Sequence, residues 1–314
     1  MVCWLLDVRE HQLIIVYPGS EGAPLWSYQE LARRLFVACT EDSQEAALCS
    51  SRELCDVTTN RLSSTTLVVA NIVECATTSG NEPKFFSKLA TARKKIVALA
   101  EAVESRQYRQ QLQSPVTVDA VLDVGFVPQE DKHPFPKVPY HYVFNGLTKE
   151  EGQAISNRSL SQGRCIPWAV VGHEAPNYVN LIAELIDYKR YPEGFCFLRH
   201  PSQQGSKGEG LLSYSGLATV LSKTKYYVWS SNDSFAYYES LRFIQALLAG
   251  AVPCKIDGNS TWEKSDIPGI FPSVRAFWAK AQEEDHWSMY CSARDFYISK
   301  GPLAEHLQKA LRLV

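Results

Sequence analysis

Apolar runs of strand length alternate along this chain with segments whose apolar positions recur every three or four residues. That alternation predicts an α/β architecture with parallel sheets. The first run, Gln12 to Tyr17 (QLIIVY), leads into the turn-rich Pro18-Gly19-Ser20-Glu21-Gly22. Trp26, Leu31, Leu35 and Phe36 then share one side of a helix expected from about Ser27 to Ala38. Leu67 to Val73 (LVVANIV) reads as a buried strand, and Pro83 opens a long basic helix with Phe86, Leu89, Ile96 and Leu99 as its apolar positions. Ala120 to Val127 and Tyr140 to Phe144 read as strands, separated by a loop, Gln129 to Pro139, that holds three prolines. The polar stretch Asn145 to Gln162 has the period of a short helix ending at Gly163.

A second series then begins. Ile166 to Val171 reads as a strand, followed by Gly172-His173 and a helix from about Pro176 to Asp187. Phe195 to Leu198 and Tyr226 to Trp229 read as short strands, Leu241 to Ala249 as a strongly apolar helix, Val252 to Ile256 as a strand, and Leu303 to Leu313 as an amphipathic helix. Each half opens with strand, glycine turn and helix. The expected organisation is two doubly wound, Rossmann-like domains, residues 1–150 and 151–314, joined near Asn145 to Arg164, with no sequence repeat between them.

Composition narrows the partners. A length of 314 residues suits two domains, and 45% hydrophobic with 21% charged residues is a globular profile. Lys and Arg total 32 against 34 Asp and Glu, a net charge of -2, so nucleic acid is disfavoured as the main partner. The amino terminus lacks a basic segment followed by a long apolar one, and no run approaches the roughly 18 apolar residues of a membrane span. The cytoplasm is the expected compartment. Nine cysteines, odd in number, scattered and without a C-x-x-C pair, argue against a disulfide framework or a zinc site. Reduced, mostly buried thiols are expected, Cys165, Cys196 and Cys254 among them.

The segment from Tyr237 to Ile256 (YYESLRFIQALLAGAVPCKI) carries the most chemistry. Glu239 and Ser240 stand where a helix should begin, Gly250 at its C-terminal cap, and Pro253 prevents its continuation. In a doubly wound domain such a helix aims its free N–H groups into the ligand crevice. A diphosphate fits the amides near Ser240, with Glu239 accepting from ribose hydroxyls. The plain alternative is a helix cap, with Arg242 pairing with Glu239 on the surface.

This segment resembles the carboxyl-terminal donor-site motif of GT-B glycosyltransferases, nearest to the fucosyltransferase, exostosin-like and CgeB-like branches. There an acidic residue precedes a helix ending in Ala-Gly-x-Val-Pro or a close variant. Tyr226 to Asn232 is similar to the strand and loop just before that motif, and Gly19 to Gly22 with the following helix is similar to the glycine loop of the N-terminal domain. The resemblance implies a GT-B fold whose two domains face a cleft, with residues 1–150 on the acceptor side and 151–314 binding the nucleotide-sugar. It implies donor contacts from Ser230, Asn232, Glu239, Ser240 and Arg242. One position departs from the pattern. Where many retaining members carry a second glutamate, five residues before the helix-ending glycine, this chain has Gln245, so the stereochemical outcome stays open.

His173, in the loop after a buried strand, could touch phosphate or the donor sugar; a capping role is the plain alternative. Arg199 follows another strand, and Lys207 lies in a Gly205-Ser206-Lys207-Gly208 loop. With Arg242 they are the cations available to a departing diphosphate. A general base for an inverting reaction would come from the first domain: Glu21, preferred for its loop position, or Asp123 or His141. No D-x-D metal motif of the other large glycosyltransferase fold occurs, so neither metal nor cofactor is expected. The basic stretch Arg93-Lys94-Lys95, with Arg106 and Arg109, reads as a solvated helix face.

The leading expectation is a metal-independent hexosyltransferase moving a sugar from a nucleotide-sugar, with UDP or GDP as its nucleotide, to a hydroxyl acceptor, whether glycan, lipid, small molecule or protein. The alternative is a glycosyltransferase-like subunit that binds the nucleotide-sugar or a protein partner without catalysis. A third reading, a sugar-nucleotide epimerase that hydrolyses its substrate, uses the same architecture. The lack of G-x-G-x-x-G after any strand counts against nicotinamide chemistry.

Overall fold

The computed structural model describes residues 12–19, 26–100, 110, 114–125, 138–159, 163–188, 193–199, 212–231, 238–258 and 267–314. The chain divides into two compact units, Met1–Thr148 with Pro302–Val314, and Lys149–Gly301.

The first unit runs β1 (Leu13–Tyr17), α1 (Trp26–Glu41), β2 (Ala46–Ser50), α2 (Ser51–Leu54), α3 (Thr59–Leu62), β3 (Thr66–Ala70), α4 (Ile72–Thr78), α5 (Glu82–Thr91), β4 (Lys94–Leu99), β5 (Ala120–Asp123) and β6 (Tyr140–Tyr142). Its strands form one parallel sheet in the order β2-β1-β3-β4-β5-β6. Successive strand residues alternate between the faces. Leu13 and Ile15 pack with Leu31, Leu35, Val68 and Ile96, whereas Ile14 and Val16 pack with Leu67, Phe85, Leu89 and Val97. Two apolar faces explain why these strands read as continuous apolar runs.

The second unit runs α6 (Lys149–Ser156), β7 (Ile166–His173), α7 (Pro176–Asp187), β8 (Phe195–Arg199), α8 (Tyr214–Ser222), β9 (Thr224–Ser230), α9 (Ser240–Ala249), β10 (Val252–Ile256), β11 (Ile270–Phe271), α10 (Val274–Glu283) and α11 (His286–Ser299). Its sheet is also parallel, in the order β11-β10-β9-β7-β8. Aromatic side chains fill its core: Trp229 meets Phe243 edge-on at 4.9 Å, and the Tyr238 hydroxyl donates to Tyr297 at 2.6 Å.

Helix α9 is fixed at its C-terminal end by a left-handed Gly250 (φ 77°) and by two arginines. Arg158 donates to the carbonyls of Leu248 and Ala249, and Arg164 Nη2 donates to Ala249 at 2.8 Å. Cationic side chains at a helix C-terminus satisfy carbonyls that have no intrahelical partner and complement the dipole.

Four expectations are corrected. The basic helix opened by Pro83 ends at Thr91, and Ile96 and Leu99 lie instead on β4. The backbone turns extended at Ala92 (ψ 143°), and the β-branched pair Ile96-Val97 fills one position on each face of the sheet. Lys94 and Lys95 therefore begin a strand, and no helix face carries them. The strand expected to Val73 stops at Ala70, because the Asn71 side chain caps α4 through the Glu74 amide at 3.1 Å. The last helix, α12 (Leu303–Leu313), packs with the first unit, although the division at residue 150 assigned it to the second. Its Leu303, Leu307 and Ala310 join the α1 side of the first core. Cys165 and Cys196 are exposed, while Cys254 is buried.

Candidate functional site

The second sheet reverses its winding at β7, since β8 lies on one side of it and β9 on the other. The crevice outside the carboxyl ends of two such strands is where doubly wound sheets take ligands. The ends of β7, β9 and β10 and the start of α9 share this edge. Gly172 stands there because the Tyr178 ring covers it; a Cβ would lie 2.6 Å from Tyr178 Cε1. The Asn177 amide donates to the Ser231 carbonyl, tying the start of α7 to the end of β9.

Four charged side chains alternate in sign along this edge. Asp257 lies 3.1 Å from Lys255 Nζ, Lys255 lies 4.0 Å from Glu239 Oε2, and Glu239 Oε1 accepts from Arg242 Nε at 3.1 Å. Lys255 is 0% exposed and Glu239 8%, so both charges need partners that replace water. The parallel register sets Lys255 opposite Trp229, whose Nε1 donates to Glu239 Oε2 at 2.9 Å. The Ser231 hydroxyl donates to Asp257 at 2.8 Å. Arg242 Nη1 donates to the Val171 carbonyl at 2.8 Å and to the Tyr227 hydroxyl at 2.7 Å. Burial opposes the Arg242 charge, yet Tyr178, Tyr227 and Glu239 raise its pKa on balance, and it stays protonated. Burial likewise raises the pKa of Tyr178 and Tyr227, which remain neutral phenols.

Of the expected site residues, Glu239, Ser240 and Arg242 come together at the start of α9, with Ser230 ending β9 nearby. Glu239 stands at the N-cap but makes no capping bond through its side chain, which is occupied by Trp229 and Arg242. The pairing of Arg242 with Glu239 is thus formed, in a buried network instead of on the surface. His173 ends β7 and Arg199, 6% exposed, ends β8 opposite it in register. Glu21, Lys207 and Asn232 lie outside the described residues. In the first unit, Asp123 is 0% exposed and accepts from the Gly125 amide at 3.0 Å and from the Tyr140 hydroxyl, and His141 sits half-buried on β6. Sequence reasoning missed Tyr178, Lys255 and Asp257. Lys255, a charge inside the apolar run VPCKI, was the available signal. Gln245 is 7% exposed, and its amide makes no hydrogen bond among the described residues. Among those residues no group of three or more His, Cys, Asp or Glu is placed to hold a metal ion.

Two Rossmann-like units, each a parallel sheet with its own winding reversal, give the chain the GT-B fold. Solved structures that share it include T4 phage β-glucosyltransferase in complex with UDP-glucose, with a TM-score of 0.56 and 10% identity, covering 95% of this chain and 98% of that one. The same phage enzyme with UDP and Mn2+ gives 0.55 and 11%, over 95% and 99%. An α-glucosyltransferase in complex with UDP gives 0.54 and 8%, over 96% and 98%. At these identities the likeness shows the fold. No family model and no curated protein sequence matches the chain. Among the described residues no helix is long and apolar enough to cross a membrane.

Proposed function

We propose that this chain is a glycosyltransferase that takes a sugar from a nucleotide-sugar and passes it to a hydroxyl acceptor without a metal ion. The observation that carries this reading is Arg242, a guanidinium anchored on three sides at the winding reversal of the second sheet, beside the start of α9. A leaving diphosphate gains negative charge as the glycosidic bond breaks, and oriented cations and helix amides stabilise it. Arg199 and Lys207 complete the cationic set, with Ser230, Asn232 and Ser240 as polar contacts. The second unit is the donor side, with His173 as its catalytic candidate, and the first the acceptor side, with Glu21 as the base for an inverting reaction. The complexes of the phage enzymes with UDP and UDP-glucose make UDP-sugars the first donors to test.

A thermal-shift screen of UDP-, GDP-, ADP- and CMP-sugars tests the reading. Donor at a hundred times its Kd should stabilise the protein by about 2.7 kcal/mol. No shift with any of the four classes would sink both the enzyme reading and any nucleotide-binding role. A second reading, a subunit that binds the donor without transferring it, draws on the full engagement of the Glu239 carboxylate by protein donors. Slow hydrolysis of the bound donor without acceptor separates the two, since only a catalyst produces it.

A further inference from the structure

We propose that the site recognises the diphosphate and not the ribose hydroxyls, with Glu239 acting as a positioning residue that aims Arg242. This rests on the nucleotide-sugar reading above and specifies which part of the nucleotide is gripped.

Both oxygens of Glu239 are already engaged: Oε1 with Arg242 Nε at 3.1 Å, Oε2 with Trp229 Nε1 at 2.9 Å and, at 4.0 Å, with Lys255 Nζ. Trp229 and Lys255 are each 0% exposed. Swinging the carboxylate toward a ribose would strip the fully buried Trp229 Nε1 of its acceptor and release Arg242 Nε, while Lys255 would keep Asp257 at 3.1 Å. Leaving a buried donor unmade costs more than one new hydroxyl contact returns. Arg242 is the converse case. Its Nε and Nη1 are held by Glu239, the Val171 carbonyl and the Tyr227 hydroxyl, while Nη2 makes no hydrogen bond among the described residues. A planar guanidinium fixed on two nitrogens presents the third in one direction, which suits phosphate oxygens. The Tyr178 hydroxyl adds an independent sign of a ligand. It is 0% exposed and makes no hydrogen bond among the described residues, and it lies within electrostatic reach of Arg242 and Glu239. An anion oxygen arriving beside Nη2 would satisfy it.

Affinity should therefore follow phosphate content. Calorimetric titration of the full chain with UDP, 2′,3′-dideoxy-UDP and uridine reads this directly. We expect UDP and its dideoxy analogue to agree within about threefold and uridine to bind at least about a hundredfold more weakly. Glu239→Gln and Arg242→Lys should each weaken UDP by about ten- to a hundredfold and leave the ratio of UDP to dideoxy-UDP unchanged. Tyr178→Phe, the mildest change, should weaken UDP by about fivefold with no loss of thermal stability. If instead wild-type protein loses tenfold or more from UDP to dideoxy-UDP and Glu239→Gln erases that difference, Glu239 grips the ribose and the proposal fails. Unchanged UDP affinity in folded Arg242→Lys overturns it as well. Wild-type protein that binds none of UDP, GDP, ADP and CMP or their sugars overturns the nucleotide reading itself, a result distinct from both.

Discussion

Replacing Gly250 by alanine tests how the site helix is held. Gly250 has φ 77° and ψ 19°, and its N–H closes the last turn onto the Ala246 and Leu247 carbonyls. An L-residue in that left-handed region costs roughly 1–2 kcal/mol. The added Cβ would also meet Arg164 Nη2 inside contact distance and lie 2.9 Å from Arg158 Cδ and Nη1. Arg164 is held by the Leu221, Thr224 and Ala249 carbonyls at 2.9, 2.6 and 2.8 Å, so it cannot retreat without losing at least the bond to Ala249. One lost hydrogen bond from a charged donor adds about 1.5–3 kcal/mol, which brings the expected destabilisation to roughly 3–5 kcal/mol. Gly163→Ala is the control in the same unit: its φ is 104°, but nothing lies within 4 Å of a Cβ there, so only backbone strain applies. Urea unfolding followed by tryptophan fluorescence reads this unit through the buried Trp168, Trp229 and Trp278. If Gly250→Ala costs no more than Gly163→Ala, the arginine clamp contributes nothing and the reasoning is wrong.

Three further outcomes follow from the geometry. Lys255→Met removes the cation 3.1 Å from Asp257 and 4.0 Å from Glu239, and should destabilise by about 3–5 kcal/mol in urea melts. Combined with Asp257→Asn it should cost clearly less than the sum, and strict additivity would show that the two charges are not coupled. Burial, followed by Asp42 and Glu53 respectively, pushes the Cys39 and Cys49 thiols up from 9.0 to about 12. The unfolded chain then loses these protons first, so stability is full below about pH 9 and falls toward pH 12 by about 1.4 kcal/mol per pH unit for each thiol; Cys39→Ala with Cys49→Ala should flatten that slope, and an unchanged slope would refute the assignment. Donor-induced thermal shifts should survive EDTA, and their loss would sink the metal-independent proposal.

The α9–β10 unit was legible because its signals are local: Glu239 and Ser240 at the start, Gly250 at the cap, Pro253 after it. Local signals also misled. Phe86, Leu89, Ile96 and Leu99 keep a helical spacing across the break at Ala92, where only the β-branched pair Ile96-Val97 hinted at a strand. Helix α12 is plainly amphipathic, but nothing in an apolar stripe says which unit it will cover. The candidate site divides in the same way. Glu239, Ser240 and Arg242 are neighbours in sequence, so their juxtaposition could be read. Lys255 meets Glu239, and Tyr178 approaches Arg242, only through the order and register of β7, β9 and β10, which no local pattern encodes.

Helix α9 is constrained at both ends by different means, and the difference bears on function. Its C-terminal carbonyls are taken by Arg158, Arg164 and the Tyr290 hydroxyl, all groups that compensate the negative end of the dipole. At the N-terminus an acidic side chain could have capped the free amides and neutralised the positive end, and Glu239 stands at the right position. It caps nothing, because its carboxylate is spent on Trp229, Arg242 and Lys255. The helix thus has no side-chain cap from Glu239 at the winding reversal, while seven of its residues, Ser240, Phe243, Ile244, Gln245, Ala246, Leu247 and Ala249, are buried and hold it still. Donors that are already oriented need no reorganisation when charge develops before them, which is the condition under which they stabilise a departing anion most.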